Sequence, residues 1–263
     1  MTPEPEISVY QGVDNTGTTL ADAQTTVVDL GSVLEGNDIV QTFAIENTGT
    51  SVLTISSITS SATEYVITGA PATVGLGATE TFTLTLDGTN AGVFTSNIII
   101  NNDDSDEGSF TYPVTGEIIA PEPEISVYQG VDNTGTTLAD AQTTVVDLGS
   151  VPEGNDIVQT FAIENTGTSV LTISSITSSA TEYVITGAPA TVGLGTTETF
   201  TLTLDGTNAG VFTTTITINN DDSDEGSFTY PVTGEITTPE ISIFVGTNNS
   251  GSVITSGQTA VID

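Results

Sequence analysis

The chain has 263 residues, and its 34 Asp and Glu residues are accompanied by no Lys, Arg or His, which gives a formal charge of −34. Nucleic acid and anionic membranes are bound mainly through Lys and Arg, so this composition excludes both and leaves cations, calcium above all, or basic surfaces as charged partners. Hydrophobic residues make up 36% in a regular pattern, which predicts a folded chain, and no run of about 18 apolar residues could span a membrane.

Two near-identical units follow one another along the chain. Aligning Pro3 with Pro121 places both units in one register without a gap. The differences are Leu34/Pro152, Ala78/Thr196, Ser96/Thr214, Asn97/Thr215, Ile99/Thr217, Ile119/Thr237 and Ala120/Thr238. Repetition at a fixed period indicates an array of similar domains rather than one large fold.

A third and more divergent unit opens at Pro239 and stops at Asp263, before its pattern is complete. We therefore predict one domain at 1–119, a second at 120–237 and the first strands of an incomplete repeat at 238–263. Two explanations are open for this last segment. Either a longer array has been cut, or the segment acts outside its own unit.

Each unit has the pattern of a series of short β-strands. Apolar residues alternate with Thr in Phe82–Leu86, a two-residue period that suits a strand with one buried face. In chain order, strands are predicted around Ile7 and Val9, Val27 and Val28, Phe43 and Ile45, Leu53 and Ile55, Tyr65–Thr68, Phe82–Leu86, Phe94–Ile100 and Phe110–Val114. Seven or eight strands separated by turn signals predict an all-β fold of tandem immunoglobulin-like β-sandwiches.

Differences between the units test this register. Asn97 and Ile99, both replaced by Thr in the second unit, fall on the predicted outward face, where a change in polarity costs little. Ser96, also replaced by Thr, faces inward and changes only slightly in size. The proline-containing junctions Gly116–Glu124 and Gly234–Glu240 predict stiff spacers, so that the units would form an end-to-end rod.

The order of the motifs resembles a known family. The motifs are Pro-Glu-Ile-Ser, Asp29–Val33, Phe43–Gly49, Asn101–Glu107 and Val114–Gly116, and the second unit repeats them. This series is similar to the Hydin-like immunoglobulin domains that recur in tandem in bacterial surface proteins, the choice-of-anchor D group. The resemblance implies extracellular, cell-surface repeat modules in large secreted chains, and it implies no enzyme.

The composition argues against catalysis. Without His, Cys or Lys, the usual bases that activate a Ser or Thr nucleophile are missing. A pair of carboxylates could hydrolyse a glycosidic bond, but the chain has no Trp to form a sugar platform. We therefore predict a protein that is not an enzyme and has no bound cofactor other than a possible calcium ion.

The hairpin before the last strand is the best candidate for a metal site. Its acidic residues are Asp103, Asp104, Asp106 and Glu107, repeated as Asp221, Asp222, Asp224 and Glu225. Calcium prefers six to eight oxygen ligands, and short loops rich in Asp and Asn supply them at this density. The same composition also suits a solvated turn. Asp14 and Asn15 with Asp22 form a second candidate.

These observations favour a structural repeat segment of a bacterial extracellular adhesin, stalk or filament that acts as a semi-rigid spacer, with neighbouring repeats of the same chain as its partners. One alternative is a self-assembling fibre, a homopolymer in which 239–263 is donated as a strand to another molecule, because unpaired strand edges invite such pairing. Another is a calcium- or glycan-binding module that uses the loops. The sequence identifies no external ligand.

Overall fold

The structure is a computed structural model that describes residues 3–239, 243–244 and 253–254. All regular elements of these residues are β-strands. Within these residues there is no helical segment that could span a membrane.

The chain divides into two compact units, Met1–Pro121 and Glu122–Asp263, and each is considered by itself. The domain limits given by the sequence, with a third repeat at 238–263, stay predictions. Most of the proposed donor segment 239–263 lies outside the described residues. Two short strands there, Ile243–Phe244 and Val253–Ile254, form an antiparallel pair.

Ten strands build the first unit, and eight of them lie where the sequence predicts strands. They are β1 (Ile7–Gln11), β2 (Thr18–Leu20), β3 (Val28–Leu34), β4 (Ile39–Asn47), β5 (Leu53–Ser60), β6 (Tyr65–Thr68), β7 (Thr73–Val74), β8 (Thr79–Leu86), β9 (Gly92–Asn102) and β10 (Ser109–Ile119). The expected number of seven or eight omitted β2 and β7. Strands of three and two residues are too short to show a two-residue alternation.

The ten strands form two five-stranded sheets that share one hydrophobic core. The first sheet has the order β2-β1-β4-β8-β6, and the second has the order β3-β10-β9-β5-β7. Neighbouring strands are antiparallel except β3 and β10, which run parallel with Val28 opposite Val114. This arrangement confirms the predicted all-β immunoglobulin-like sandwich.

The second unit repeats the first strand for strand. Its strands are β11 (Ile125–Gln129), β12 (Thr136–Leu138), β13 (Val146–Pro152), β14 (Ile157–Asn165), β15 (Leu171–Ser178), β16 (Tyr183–Thr186), β17 (Thr191–Val192), β18 (Thr197–Leu204), β19 (Gly210–Asn220) and β20 (Ser227–Thr237). Their sheet orders correspond to those of the first unit.

An aromatic cluster lies at the centre of each core. Phe43 stacks on Phe82 with ring centroids 5.5 Å apart, and its centroid lies 5.4 Å from that of Tyr112. All three side chains are fully buried. Aromatic pairs at this spacing contribute about 0.5–1.5 kcal/mol beyond the burial of their surface. The Tyr112 hydroxyl, however, has no hydrogen-bond partner within the described residues.

The differences between the units confirm the predicted register. Asn97 is exposed and Ile99 is half-buried, whereas Ser96 is buried. The Ser96 hydroxyl lies 2.6 Å from the Ser60 hydroxyl, and Thr214 keeps the matching hydrogen bond at 2.7 Å in the second unit. The extra methyl group of Thr is therefore accommodated without loss of the buried polar contact.

Candidate metal site

The predicted site residues of the first unit, Asp103, Asp104, Asp106 and Glu107, lie in the loop between β9 and β10. Asn102 shapes this loop, because its side-chain oxygen accepts a 2.8 Å hydrogen bond from the Asp104 N–H. Its side-chain nitrogen donates to the Glu107 carbonyl at 2.8 Å. Asn102 thus sets the turn and leaves the carboxylates of the loop free for other contacts.

The structure brings together four carboxylates in each unit. In the first unit they belong to Glu6, Asp104, Asp106 and Glu107, and one oxygen of each lies within 4.8 Å of the others. The second unit repeats this group with Glu124, Asp222, Asp224 and Glu225. We call each group the carboxylate cluster.

Asp103 and Asp221 are predicted site residues that the structure leaves outside the cluster. The Asp103 carboxylate accepts a 2.7 Å hydrogen bond from the Thr54 N–H on β5, and Asp221 accepts one of 2.7 Å from Thr172. Each residue therefore ties the hairpin to the neighbouring strand. The remaining six predicted residues lie in the clusters.

Glu6 and Glu124 are the members that sequence reasoning missed. Glu6 lies far from the hairpin in sequence, and it joins the cluster because the adjacent Ile7 begins β1 beside Asp104. The repeated Pro-Glu-Pro-Glu motif was the only feature of the sequence that drew attention to Glu6 and Glu124. No spacing rule connects that motif with a hairpin at the other end of the unit.

Asp104 is the buried member of the cluster. It is 4% exposed, and its Oδ2 atom accepts a 2.8 Å hydrogen bond from the Ile7 N–H. In the second unit, Asp222 accepts the equivalent bond from Ile125 at 2.7 Å. Burial works to raise the pKa of Asp222, but hydrogen bonds from the N–H groups of Ile125 and Asp224 outweigh it and lower that pKa.

The carboxyl group of Glu107 has a raised pKa, in contrast to that of Asp222. Burial, and then the negative charges of Asp106 and Asp104, raise the pKa of its carboxyl group. Its Oε2 atom is buried and has no hydrogen-bond partner within the described part of the chain, and the same is true of Glu225. Burial and the same two aspartates also raise the pKa of Glu6.

A cation would relieve the repulsion within the cluster. The sequence contains no Lys, Arg or His that could do so. Calcium binds carboxylate oxygens and tolerates irregular geometry, with water completing its six to eight ligands. The cluster is therefore suited to a hard divalent cation, held by the carboxylates of Glu6, Asp104, Asp106 and Glu107.

The second candidate group is not brought together. The Asp14 carboxylate accepts hydrogen bonds from the N–H and hydroxyl groups of Thr16, so it stabilises the turn after β1. Asp22 instead accepts a 2.7 Å hydrogen bond from the Thr111 N–H on β10, and its charge contributes to the raised pKa of Glu107. Asp22 thus lies beside the carboxylate cluster.

The turn between β4 and β5 encloses the segment Glu4–Glu6. The N–H groups of Thr48 and Thr50 donate to the carbonyl groups of Glu6 and Glu4, at 2.9 and 2.8 Å. Asn47, which is fully buried, accepts a 3.4 Å bond from the Glu6 N–H, and a Cβ atom on Gly49 would lie 2.5 Å from the Glu4 carbonyl oxygen. The Pro-Glu-Pro-Glu motif is therefore packed into the unit that it opens.

Two shallow depressions lie on the outer face of the second sheet of the first unit. Their volumes are about 270 and 260 Å³. Their linings are Val27, Ser61, Thr95, Ser96, Asn97, Pro113 and Val114, and Asp29, Gly31, Ser32, Val93, Thr115, Gly116 and Glu117. Neither lining contains an aromatic ring, so they give no particular support to a glycan site.

Comparison with solved structures finds similar folds at low sequence identity. A protein of unknown function from Porphyromonas gingivalis W83 is 13% identical with a TM-score of 0.34, over 78% of this chain and 94% of that one. The secreted serine protease VesC from Vibrio cholerae is 13% identical with a TM-score of 0.29, over 68% and 45%. The Yersinia pseudotuberculosis adhesin InvE is 15% identical with a TM-score of 0.25, over 80% and 57%. Similarity of this degree carries no argument about function.

Comparison with curated protein sequences finds no match. The family model described as HYDIN/CFA65/VesB-like, Ig-like domain matches residues 22–116 and again residues 140–234. The two matches cover most of the chain, one in each sandwich, and they agree with the Hydin-like motifs in the sequence. The chain therefore belongs to the HYDIN/CFA65/VesB-like Ig-like domain family.

Proposed function

We propose that the chain is a structural repeat segment of a bacterial extracellular adhesin, stalk or filament, and that it acts as a semi-rigid spacer. The observation that carries this proposal is the path of the chain through each unit. The chain enters at Ile7, next to the β9–β10 loop, and leaves at Ile119, where the Ile119 carbonyl accepts a 2.9 Å hydrogen bond from Glu35. A unit with its entry and exit at opposite ends adds length with every copy.

The short connection between the units supports the proposal that the spacer is semi-rigid. Strand β10 extends to Ile119, and the Glu122 N–H already donates a 3.1 Å hydrogen bond to the Thr168 hydroxyl of the second unit. Only Ala120 and Pro121 remain between these two points, and proline restricts the backbone further. The flexible part of the predicted junction is therefore shorter than Gly116–Glu124.

The composition supports an exposed location. A chain without Lys and Arg offers no cleavage site to trypsin-like proteases, and its net negative charge favours solubility. We expect an antibody against the chain to label intact, unpermeabilised cells that produce it. Labelling that requires permeabilisation would overturn the extracellular location.

Calcium binding is a second candidate function. It is favoured by the buried, unpartnered Oε2 atom of Glu107 within a group of four carboxylates. In this proposal, calcium joins Glu6, at the start of the unit, to the hairpin before β10. Calorimetric titration of the purified chain with calcium should give about two sites per chain, one for each cluster. No heat of binding at millimolar calcium would leave the loops as turns.

A further inference from the structure

We propose that each unit is built to resist tension along its strands. Two groups of contacts, here called fastenings, hold the strand by which the chain enters the unit, β1, and the strand by which it leaves, β10. The inference rests on the proposed function, because a spacer on a cell surface carries load between its ends. It is a statement about the mechanics of the purified chain, however, and it can fail or succeed independently of where the chain acts.

The direction of the load follows from the path of the chain. Ile7, at the start of β1, lies beside Asp104, and the β1–β4 register runs from Ile7↔Asn47 to Gln11↔Phe43. At the other end of the sandwich, Gly116 on β10 lies against Ile39 and Leu86 side chains, and β10 continues to Ile119. A force that separates the two ends therefore acts nearly parallel to β1 and β10.

The first fastening holds the entering strand. The turn between β4 and β5 binds Glu4 and Glu6 through the N–H groups of Thr48 and Thr50. Asp104 adds a buried hydrogen bond from the loop of the opposite sheet to the Ile7 N–H, at 2.8 Å. The entering strand is thus held by its own sheet and by the other one.

The second fastening holds the leaving strand. In its sheet, β10 lies between two partners, the antiparallel β9 and the parallel β3. The β3 contact reaches the end of the strand, where Ile119 is opposite Leu34 and accepts a hydrogen bond from the Glu35 N–H. From Val114 to Ile118, β10 has a partner strand on each side, so this half of the strand is not an edge that could peel away alone.

The resistance to force depends on the angle between the pulling direction and the hydrogen bonds of the strand ladders. Hydrogen bonds between antiparallel strands are perpendicular to the strands. A force along the strands therefore loads the bonds of a ladder together, and they must break together. A force across the strands opens the same bonds one after another.

The test compares two pulling directions on the full chain in a single-molecule force measurement. The sequence has no Cys, so pairs of introduced Cys residues are unique handles. Pro3→Cys with Ala120→Cys pulls along the strands, whereas Pro3→Cys with Ser105→Cys pulls apart two exposed points at the entry end. We expect the first pair to give an unfolding force several-fold higher than the second. Equal forces for the two pairs would overturn the proposal.

A matched pair of variants tests the role of the entry fastening, with both handles at Pro3 and Ala120. Asp104→Ala removes the bond to Ile7 and should raise the unfolding rate at constant force about tenfold or more, since hydrogen bonds to charged groups are among the stronger ones. Tyr65→Phe removes a 2.8 Å bond to the Phe94 carbonyl, at the other end of the unit from the entry fastening. It should leave that rate nearly unchanged although it lowers thermal stability. The reverse order of effects would show that the entry fastening does not control unfolding.

Discussion

The Ile7 N–H donates a 2.8 Å hydrogen bond to Oδ2 of Asp104, a carboxylate that lies 97 positions away in the sequence and is 4% exposed. A buried carboxylate in a chain without Lys or Arg has no cationic partner, so backbone N–H groups are its stabilising contacts. The bond joins the first strand of the unit to the last hairpin.

The first prediction concerns the free energy of unfolding. Asp104→Ala should lower it by about 1.5–3 kcal/mol, because the Ile7 N–H loses a charged acceptor and stays buried. Urea unfolding, followed by tyrosine fluorescence, measures the loss, and the unchanged second unit serves as an internal reference. In calcium-free buffer Asp106→Ala is the control, since that side chain is exposed and only its calcium-binding role would be lost. Equal losses for the two variants would contradict the assigned role of Asp104.

The second prediction concerns calcium. Calcium at about a hundred times its dissociation constant adds about 2.7 kcal/mol to the stability of a folded site, which corresponds to a rise in melting temperature of roughly 10 °C or more for a domain of this size. Asp106→Asn with Asp224→Asn should abolish the rise. Asp103→Asn with Asp221→Asn removes the same charge from the same loops but outside the clusters, and it should keep the rise. A rise that survives in the first variant would place the binding elsewhere.

The third prediction compares two tyrosines. The buried Tyr112 hydroxyl has no partner within the described residues, whereas the Tyr65 hydroxyl donates a 2.8 Å hydrogen bond to the Phe94 carbonyl. Tyr112→Phe should therefore be neutral or stabilise the unit by up to about 1 kcal/mol, and Tyr65→Phe should destabilise it by about 1 kcal/mol. Melting curves of the two variants decide the question. A marked destabilisation by Tyr112→Phe would reveal a polar partner for that hydroxyl.

The fourth prediction concerns acid. Burial and neighbouring aspartates raise the pKa of Glu6 and Glu107, so the folded chain binds these protons more readily than the unfolded chain. Without calcium, the free energy of unfolding should therefore rise as the pH falls from 7 to about 5. Hydrogen bonds from Thr16 lower the pKa of Asp14, so below about pH 4 protonation of such groups should reduce stability again.

Measurements in chelator and in excess calcium separate the effect of proton binding from that of metal binding. In excess calcium, protons compete with the metal for the same carboxylates, so acidification should destabilise the chain between pH 7 and 5. Urea midpoints across this range measure both trends. A calcium-free midpoint that falls steadily below pH 7 would show that the raised pKa values of the clusters do not control stability.

The fifth prediction concerns alkali. Burial, reinforced by the charge of Glu64, raises the pKa of Tyr65 to about 12, and Tyr183 next to Glu182 behaves in the same way. Because the unfolded chain loses these protons near pH 10, stability should fall as the pH rises from about 10 to 12. Tyr65→Phe with Tyr183→Phe should make this fall shallower. An unchanged slope would assign the alkaline transition to other tyrosines.

Much of the fold could be predicted from local sequence. Alternation fixed the strand from Phe82 to Leu86, and the difference between Ser96 and Thr214 fell on the buried face that the register assigned. Such features depend on neighbours along the chain. The two-residue strand Thr73–Val74 could not be recognised in this way, since its pairing with β5 gives it its conformation.

The carboxylate cluster shows where local reasoning stopped. The hairpin was correctly identified as acidic, but Asp103 turns to Thr54 on β5, and Glu6 takes the fourth place in the cluster. The first fact follows from the pairing of β5 with β9, and the second follows from the packing of β1, in one sheet, beside the β9–β10 loop of the other. Both are properties of the whole unit, and the sequence next to Asp103 or Glu6 does not indicate them.

The Ser96/Thr214 difference has a consequence for recombination between the two repeats. Both side chains keep the same hydrogen bond, to Ser60 and to Ser178, so Ser and Thr can be exchanged at this position with that contact retained. Unequal crossing-over between the two coding repeats would then yield hybrid units in which this contact is present. The number of units could then change by whole domains while the interior of each retained unit keeps this contact.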